Sequence, residues 1–229
     1  MTALFITGSG TDVGKTFVTA LLARQLRGAG RAVRALKPVV SGFDPAAAGS
    51  SDPGLLLDAA GLAVSPENLE AVAPWRFKAR LSPDMAAARE GRTIDFNALL
   101  AFCQEAIDGA AEGDLLIEGV GGVMVPLGAQ HLVVDWITML GIPAVVVTGS
   151  YLGALSHCLT AVEALSLREI PVAGVIVSES EGSPVMLDET AAALDRFLPK
   201  VPVLALPRLA DFSEAPDLTA ALGLGLPAF

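Results

Sequence analysis

The sequence predicts an α/β fold of three layers, with helices covering both faces of a mostly parallel sheet. Two observations carry this. Short apolar runs alternate with helical stretches along the chain, and the runs are apolar throughout rather than at every second residue, as in strands buried on both faces. Over 229 residues, 52% hydrophobic and only 17% charged, the chain can bury a sizeable core. Residues 1–229 are expected to form a single domain, because no repeat, low-complexity tract or linker interrupts them.

In chain order, Leu4 to Thr7 is the first strand, followed by a Gly-rich turn and a helix from Lys15 to Arg27 that stops near Gly28 and Gly30. Ala32 to Leu36 is the second strand. Residues 43–92, rich in Ala, Pro and Gly, read as a long excursion from the sheet with two short helices, one starting at Ser82-Pro83 and ending at Gly91. Asp95 caps a helix from Phe96 to Glu112, and Leu115 to Glu118 is the next strand. From Trp136 to Val162 no residue is charged. That length would span a bilayer, but Gly141, Pro143, Gly149 and Gly153 divide it into the end of a helix (Leu132 to Leu140), a strand (Ala144 to Thr148) and a helix from Leu152 to Leu167. Val172 to Ser178 and Val201 to Leu206 complete the strands, with a helix from Val185 to Leu198 between them.

The formal charge of −10, from 25 Asp plus Glu against 15 Lys plus Arg, repels phosphate backbones and anionic lipid surfaces. Nucleic acid and membrane are therefore not expected as partners, and any anion must be held by a local device. Cys103 and Cys158 have neither disulfide-framework nor metal-site spacing and read as buried small hydrophobes. The start, MTALFITG, lacks a basic region before its short apolar run, so a signal peptide is not expected and a cytoplasmic location follows by default.

The local device lies after the first strand. Gly8-Ser9-Gly10-Thr11-Asp12-Val13-Gly14-Lys15-Thr16 leads from a strand into a helix, the context of a phosphate-binding loop and hence of a P-loop NTPase-like fold. Glycines let backbone N–H groups face phosphate oxygens, the helix start adds partial positive charge, Lys15 reaches the terminal phosphates, and the Thr16 hydroxyl can ligate Mg2+. The spacing is one residue off the strict pattern, whose first glycine falls on Ser9. Mg2+ between phosphates needs one or two carboxylates as well. Glu118, closing a buried strand at the same sheet edge, is the first candidate, although the amides of the following glycines could also satisfy it. Asp52 is the second; alone, it would more often cap a helix. Lys37, between an apolar strand and Pro38, is placed to stabilise a developing anion, and Ser41 is either a donor to the same group or a turn residue before Gly42.

GSGTDVGKT, LKPVVSG, SSD, LSPDMAAAREGR, IEGVGGVMVPL and VDW, in this order, resemble the signatures of the dethiobiotin synthetases over residues 3–160, with weaker likeness in VAGVIVS and LPRL. The resemblance implies about seven strands and a homodimer. It also implies an ATP-dependent cyclo-ligase that closes a ureido ring on 7,8-diaminononanoate with CO2 through a carbamate and a carbamic-phosphoric anhydride. It implies that Lys15, Lys37, Thr11 and Ser41 are catalytic, and that Thr16, Asp52 and Glu118 hold Mg2+. Asp12, Val13, Gly14, Lys15, Thr16, Phe17, Ser178, Pro207 and Leu209 would bind the nucleotide. Thr11, Lys37, Ser41, Gly121 and Gly122 would bind the diamine, whose carboxylate would meet the partner subunit at Ser150, Leu152, Gly153 and Ser156.

Some positions depart from the family. Ser9 and Gly10 stand where Thr and Asp are common, Asp12 where Glu is, Asp84 where His is, and Ser178 where Asn often reads adenine. A hydroxyl lacks the bidentate amide edge, so use of other triphosphates is expected to be less restricted. A partition-type ATPase of the same superfamily would carry a further lysine early in the loop, and residues 9–13 contain none. A cobyrinate-type amidotransferase synthetase would need a glutaminase region, for which the 229 residues are not expected to leave room.

Overall fold

The structure is a computed structural model that describes residues 2–110, 113–209 and 211–224. The elements run β1 (Thr2–Gly8), α1 (Lys15–Gly28), β2 (Val33–Leu36), β3 (Val39–Ser41), α2 (Asp52–Ala60), α3 (Pro66–Val72), β4 (Trp75–Phe77), α4 (Pro83–Arg89) and α5 (Phe96–Asp108). They continue with β5 (Asp114–Glu118), α6 (Val133–Leu140), β6 (Ala144–Gly149), α7 (Ala154–Ser166), β7 (Val172–Ser178), α8 (Leu187–Phe197), β8 (Val203–Leu206) and α9 (Leu218–Ala221).

Six strands form one sheet in the order β2-β5-β1-β6-β7-β8, every neighbouring pair parallel. Side chains alternate between its faces, and that divides the core in two. Phe5, Ile117, Val146 and Val175 pack with Leu99, Cys103, Trp136 and Leu194 of α5, α6 and α8. Leu4, Ile6, Leu116, Val145 and Ile176 pack with Val18, Leu22 and Leu26 of α1 and with Leu218 of α9. Helices on both faces explain why these strands lack polar alternation.

β3 and β4 pair as a separate two-stranded parallel sheet, so the strands divide into six and two. At three residues each, both are too short for a periodic pattern. The excursion of residues 43–92 holds three α-helices rather than the two expected, preceded by a 3-10 turn at Pro45–Ser50. Ser51 and Ser65 each accept an N-terminal amide hydrogen bond from two helices that carry Pro in the first turn. α4 begins at Pro83 as expected, but Ser82 donates to the Asp84 carboxylate (2.6 Å) instead of capping the backbone. α5 is capped by Asp95 and ends at Asp108; its expected end, Glu112, lies outside the described residues. Cys103 and Cys158 are free and buried, and burial pushes both thiols up to about 12. Among the described residues no helix is long and apolar enough to cross a membrane.

One aromatic contact links core to site. Phe5 meets Trp136 edge to face, with centroids 4.8 Å apart, and its ring lies where a Cβ on Gly119 would sit 2.8 Å away. The residue after Glu118 thus has to be glycine for β1 and β5 to stay in register. Phe5→Ala is expected to lower unfolding free energy by about 3–5 kcal/mol. Urea denaturation measures this, and the slope should stay unchanged if the loss is one of packing alone.

Candidate active site

Parallel register brings the chemically active residues to one edge. Ile6 pairs with Glu118 at the end of β5, and Leu36 pairs with Ile117, which sets Lys37 beside Glu118. The loop after β1 leaves the same edge. Its start is fixed on two sides, because the Ser9 N–H donates to the Val147 carbonyl (2.9 Å) and the Gly8 carbonyl accepts from the Val123 N–H (3.2 Å). The Ser9 hydroxyl donates to that of Thr148 at 2.8 Å. At Gly14, φ is 92° and a Cβ would approach the Ser178 Oγ to 2.7 Å, so both backbone angle and space require glycine before α1.

Lys15, the first residue of α1, turns back into this loop and donates to the Gly10 carbonyl at 2.7 Å. Burial, and then the neighbouring Lys37 ammonium, lower its pKa to about 8. Lys37 is 6% exposed and Glu118 is wholly buried. The Lys37 ammonium donates to Glu118 Oε1 (2.6 Å), to Asp52 Oδ2 and to Thr16 Oγ1 (3.3 Å), while the Thr16 hydroxyl donates to Glu118 Oε1 (2.7 Å). Burial alone would lower the Lys37 pKa, but the Glu118 and Asp52 carboxylates outweigh it and hold it above the ordinary lysine value. Asp52 comes from the first turn of α2, so the excursion supplies a wall of the site. Lys78 and Lys200 are exposed and absent from this cluster.

Lys15, Thr16, Lys37 and Asp52 line a cleft of about 630 Å³, together with Thr11, Asp12, Phe17, Ser41, Arg80 and Gly121, while Glu118 is buried behind Lys37 and Thr16. Val13 is buried behind the loop. Gly122 packs against its back, where a Cβ would stand 3.3 Å from the Gly10 nitrogen. Ser178 touches Gly14, and Leu209 and Phe17 each pack against the edge of the second core. Pro207 lines a separate cavity of about 690 Å³ with Glu179 and Ser180. The remaining expected substrate residues lie off the cleft. Ser150 is buried and exchanges hydrogen bonds with Ser180 (3.1 and 3.0 Å); Leu152 is 80% exposed; Gly153 and Ser156 stand at the start of α7. Arg80 is the cleft residue that sequence reasoning missed. Its stem crosses Gly42, where φ is 81° and a Cβ would lie 2.5 Å from the Arg80 Cγ. A lone arginine inside an Ala/Pro/Gly-rich stretch carries no local signal of that position.

Thr16, Asp52 and Glu118 suit a hard divalent cation. All three present oxygen to one point, and Glu118 Oε2 is buried with no hydrogen-bond partner. Among the described residues no group of three or more His, Cys, Asp or Glu side chains could hold a metal by itself. Two carboxylates and a hydroxyl leave coordination positions to phosphate oxygens and water, the habit of Mg2+ at nucleotides.

The family described as AAA domain matches residues 2–220. The chain is 51% identical over 203 residues to the ATP-dependent dethiobiotin synthetase BioD of Acidiphilium cryptum, covering 88% of this chain and 91% of that protein. Identity to the ATP-dependent dethiobiotin synthetase BioD of Methylobacterium nodulans is 49% over 201 residues, covering 86% and 89%. Among solved structures, the septum site-determining protein MinD complexed with Mg-ADP from Pyrococcus horikoshii superposes with a TM-score of 0.53 at 16% identity, over 99% of this chain and 86% of that one. That likeness shows the fold alone.

The Lys15 pKa has a consequence for nucleotide affinity. Phosphate oxygens favour the charged lysine, so binding takes up a proton between the free value, about 8, and the higher bound one. Affinity for ADP without metal, measured by calorimetry, is expected to be level below about pH 7 and to fall as pH rises past about 8. Lys15→Met should lose most of the affinity and this decline.

Proposed function

The chain belongs to the ATP-dependent dethiobiotin synthetase family, and from that premise we propose how its cleft performs the reaction. It is an ATP-dependent ligase forming C–N bonds in biotin biosynthesis. It joins CO2 to 7,8-diaminononanoate and closes the ureido ring of dethiobiotin, with ATP converted to ADP and phosphate. One observation carries the assignment of roles: Lys37, Thr16 and Asp52, held together with the buried Glu118, share a cleft with the end of the phosphate-binding loop and Ser41.

One substrate amine adds to CO2, loses a proton and becomes a carbamate. A carbamate oxygen attacks the γ-phosphorus of ATP and ADP departs, leaving a carbamic-phosphoric anhydride. The second amine attacks the carbonyl carbon and gives up a proton, phosphate leaves with its electron pair, and the ring is closed. Lys15 and Lys37 hold the carbamate and the moving phosphoryl group, whose negative charge their ammonium groups offset inside the cleft. Thr11 and Ser41 hydrogen-bond around that group, and the buried Ser41 Oγ, which has no partner among the described residues, supports this role. Thr16, Asp52 and Glu118 are the residues to hold Mg2+. When bound, it neutralises phosphate charge during transfer.

The diamine lies along Gly121 and Gly122. The phosphate chain of ATP runs along Asp12 to Phe17, and the base lies toward Ser178, Pro207 and Leu209. A homodimer is part of this reading, the substrate carboxylate meeting the partner subunit near Ser150, Leu152, Gly153 and Ser156. The exposed Leu152 and Leu155 and the helix start at Ala154 support an interface there. A cytoplasmic location completes it, since ATP is drawn from that pool.

Incubating the protein with the diamino acid, bicarbonate and MgATP is expected to yield the cyclic urea with one equivalent of ADP; a folded protein yielding none would sink the assignment. Lys37→Gln should retain nucleotide binding while turnover falls by about a hundredfold or more. Unchanged turnover would remove Lys37 from the mechanism. Lys78→Ala and Lys200→Ala should turn over normally.

A further inference from the structure

The Lys37 ammonium rests on three oxygens, Thr16 Oγ1, Asp52 Oδ2 and Glu118 Oε1. These belong to the same three residues that the proposed function assigns to the divalent cation, and the following inference rests on that reading. An ammonium has three donors, and here each has found one acceptor. The Thr16 hydroxyl gives its proton to Glu118, so a lone pair faces Lys37, as it would have to face a metal. A second positive ion cannot be added among these oxygens without meeting Lys37 head on.

We propose that Lys37 is the resident stand-in for the divalent cation, and that it must leave these three oxygens when the cation takes them. Its backbone does not need to move. The Lys37 N–H is held by the Val72 carbonyl (3.1 Å) and Pro38 follows, so the change is one of side-chain rotation about a flexible four-carbon stem. The cleft offers it a destination, for Ser41 lines the same space and its buried Oγ has no hydrogen-bond partner among the described residues.

Two properties of the site follow. The buried Glu118 always has a positive neighbour, first Lys37 and then the metal, which avoids an uncompensated carboxylate in the core. Lys37 also becomes available to the carbamate only after the metal has arrived, so metal-nucleotide binding readies the residue that holds the next anion. Lys37 would thereby oppose cation binding in the nucleotide-free protein while serving the reaction in the complete one.

The test uses Mn2+ as probe and the full chain without nucleotide, its binding read from the loss of the free-ion electron paramagnetic resonance signal. Lys37→Gln is expected to bind Mn2+ about tenfold more tightly than the wild type, or better, because a like charge only a few ångströms away has been removed. Equal or weaker binding by a folded variant would overturn the displacement and leave the metal ligands standing. If both proteins bind ADP but neither takes up Mn2+, the assignment of Thr16, Asp52 and Glu118 falls, and this inference with it. Should Lys37→Gln fail to fold, [ε-13C]lysine labelling of the Lys78→Arg/Lys200→Arg protein leaves only the Lys15 and Lys37 signals. Saturating Mg2+ should shift the Lys37 signal, whereas Mg2+ uptake seen by calorimetry with both signals unmoved would refute the exchange.

Discussion

A carboxylate enclosed by the sheet needs a cation against it, and the contact between Glu118 and Lys37 meets that need. Glu118 ends the strand beside both β1 and β2, with no exposed surface. Taking such a charge from water costs several kcal/mol unless it is paired and hydrogen-bonded. Lys37, supplied by the neighbouring strand one residue beyond the pairing, is placed by register rather than by chance of side-chain reach. Asp52 and Thr16 then gather around the same ammonium, which ties α2 and α1 to the sheet edge.

This arrangement gives an acidic chain a place for a polyanion. Lys15 bends into its own loop, short of a full positive charge at high pH, because burial and Lys37 both oppose its protonation. Lys37 is held by the Asp52 and Glu118 carboxylates, and Lys15 by the Gly10 carbonyl. Phosphate oxygens would supply further negative charge to both lysines, so the site is built for a ligand it lacks the anions to replace.

Much of this was visible in the residue order, for a physical reason. Charged residues at the ends of wholly apolar strands are anomalies, and Lys37 and Glu118 stand out as such; the glycine and Lys-Thr spacing marks the loop in the same way. Asp52 is harder, because Ser51-Asp52-Pro53 reads equally as a helix start; in the structure it opens α2 and meets the Lys37 ammonium. β3 and β4 escaped because a three-residue strand has no period and its partner lies across three intervening helical segments. Arg80 escaped because its position depends on space above Gly42, and the Ser150–Ser180 hydrogen bonds because the two residues become adjacent only when β6 and β7 pair. Such tertiary contacts leave no mark on local composition.

The pairing of Glu118 with Lys37 can be weighed directly by a double-mutant cycle of Lys37→Met, Glu118→Gln and the double variant, with urea unfolding of the metal-free and nucleotide-free protein. Each single change should cost about 3–5 kcal/mol, since it strands a buried partner, and the double should recover enough to leave a coupling of about 2 kcal/mol or more. Single costs that add to within about 0.5 kcal/mol would mean the two groups do not depend on each other, and would contradict the organisation of the site around this pair.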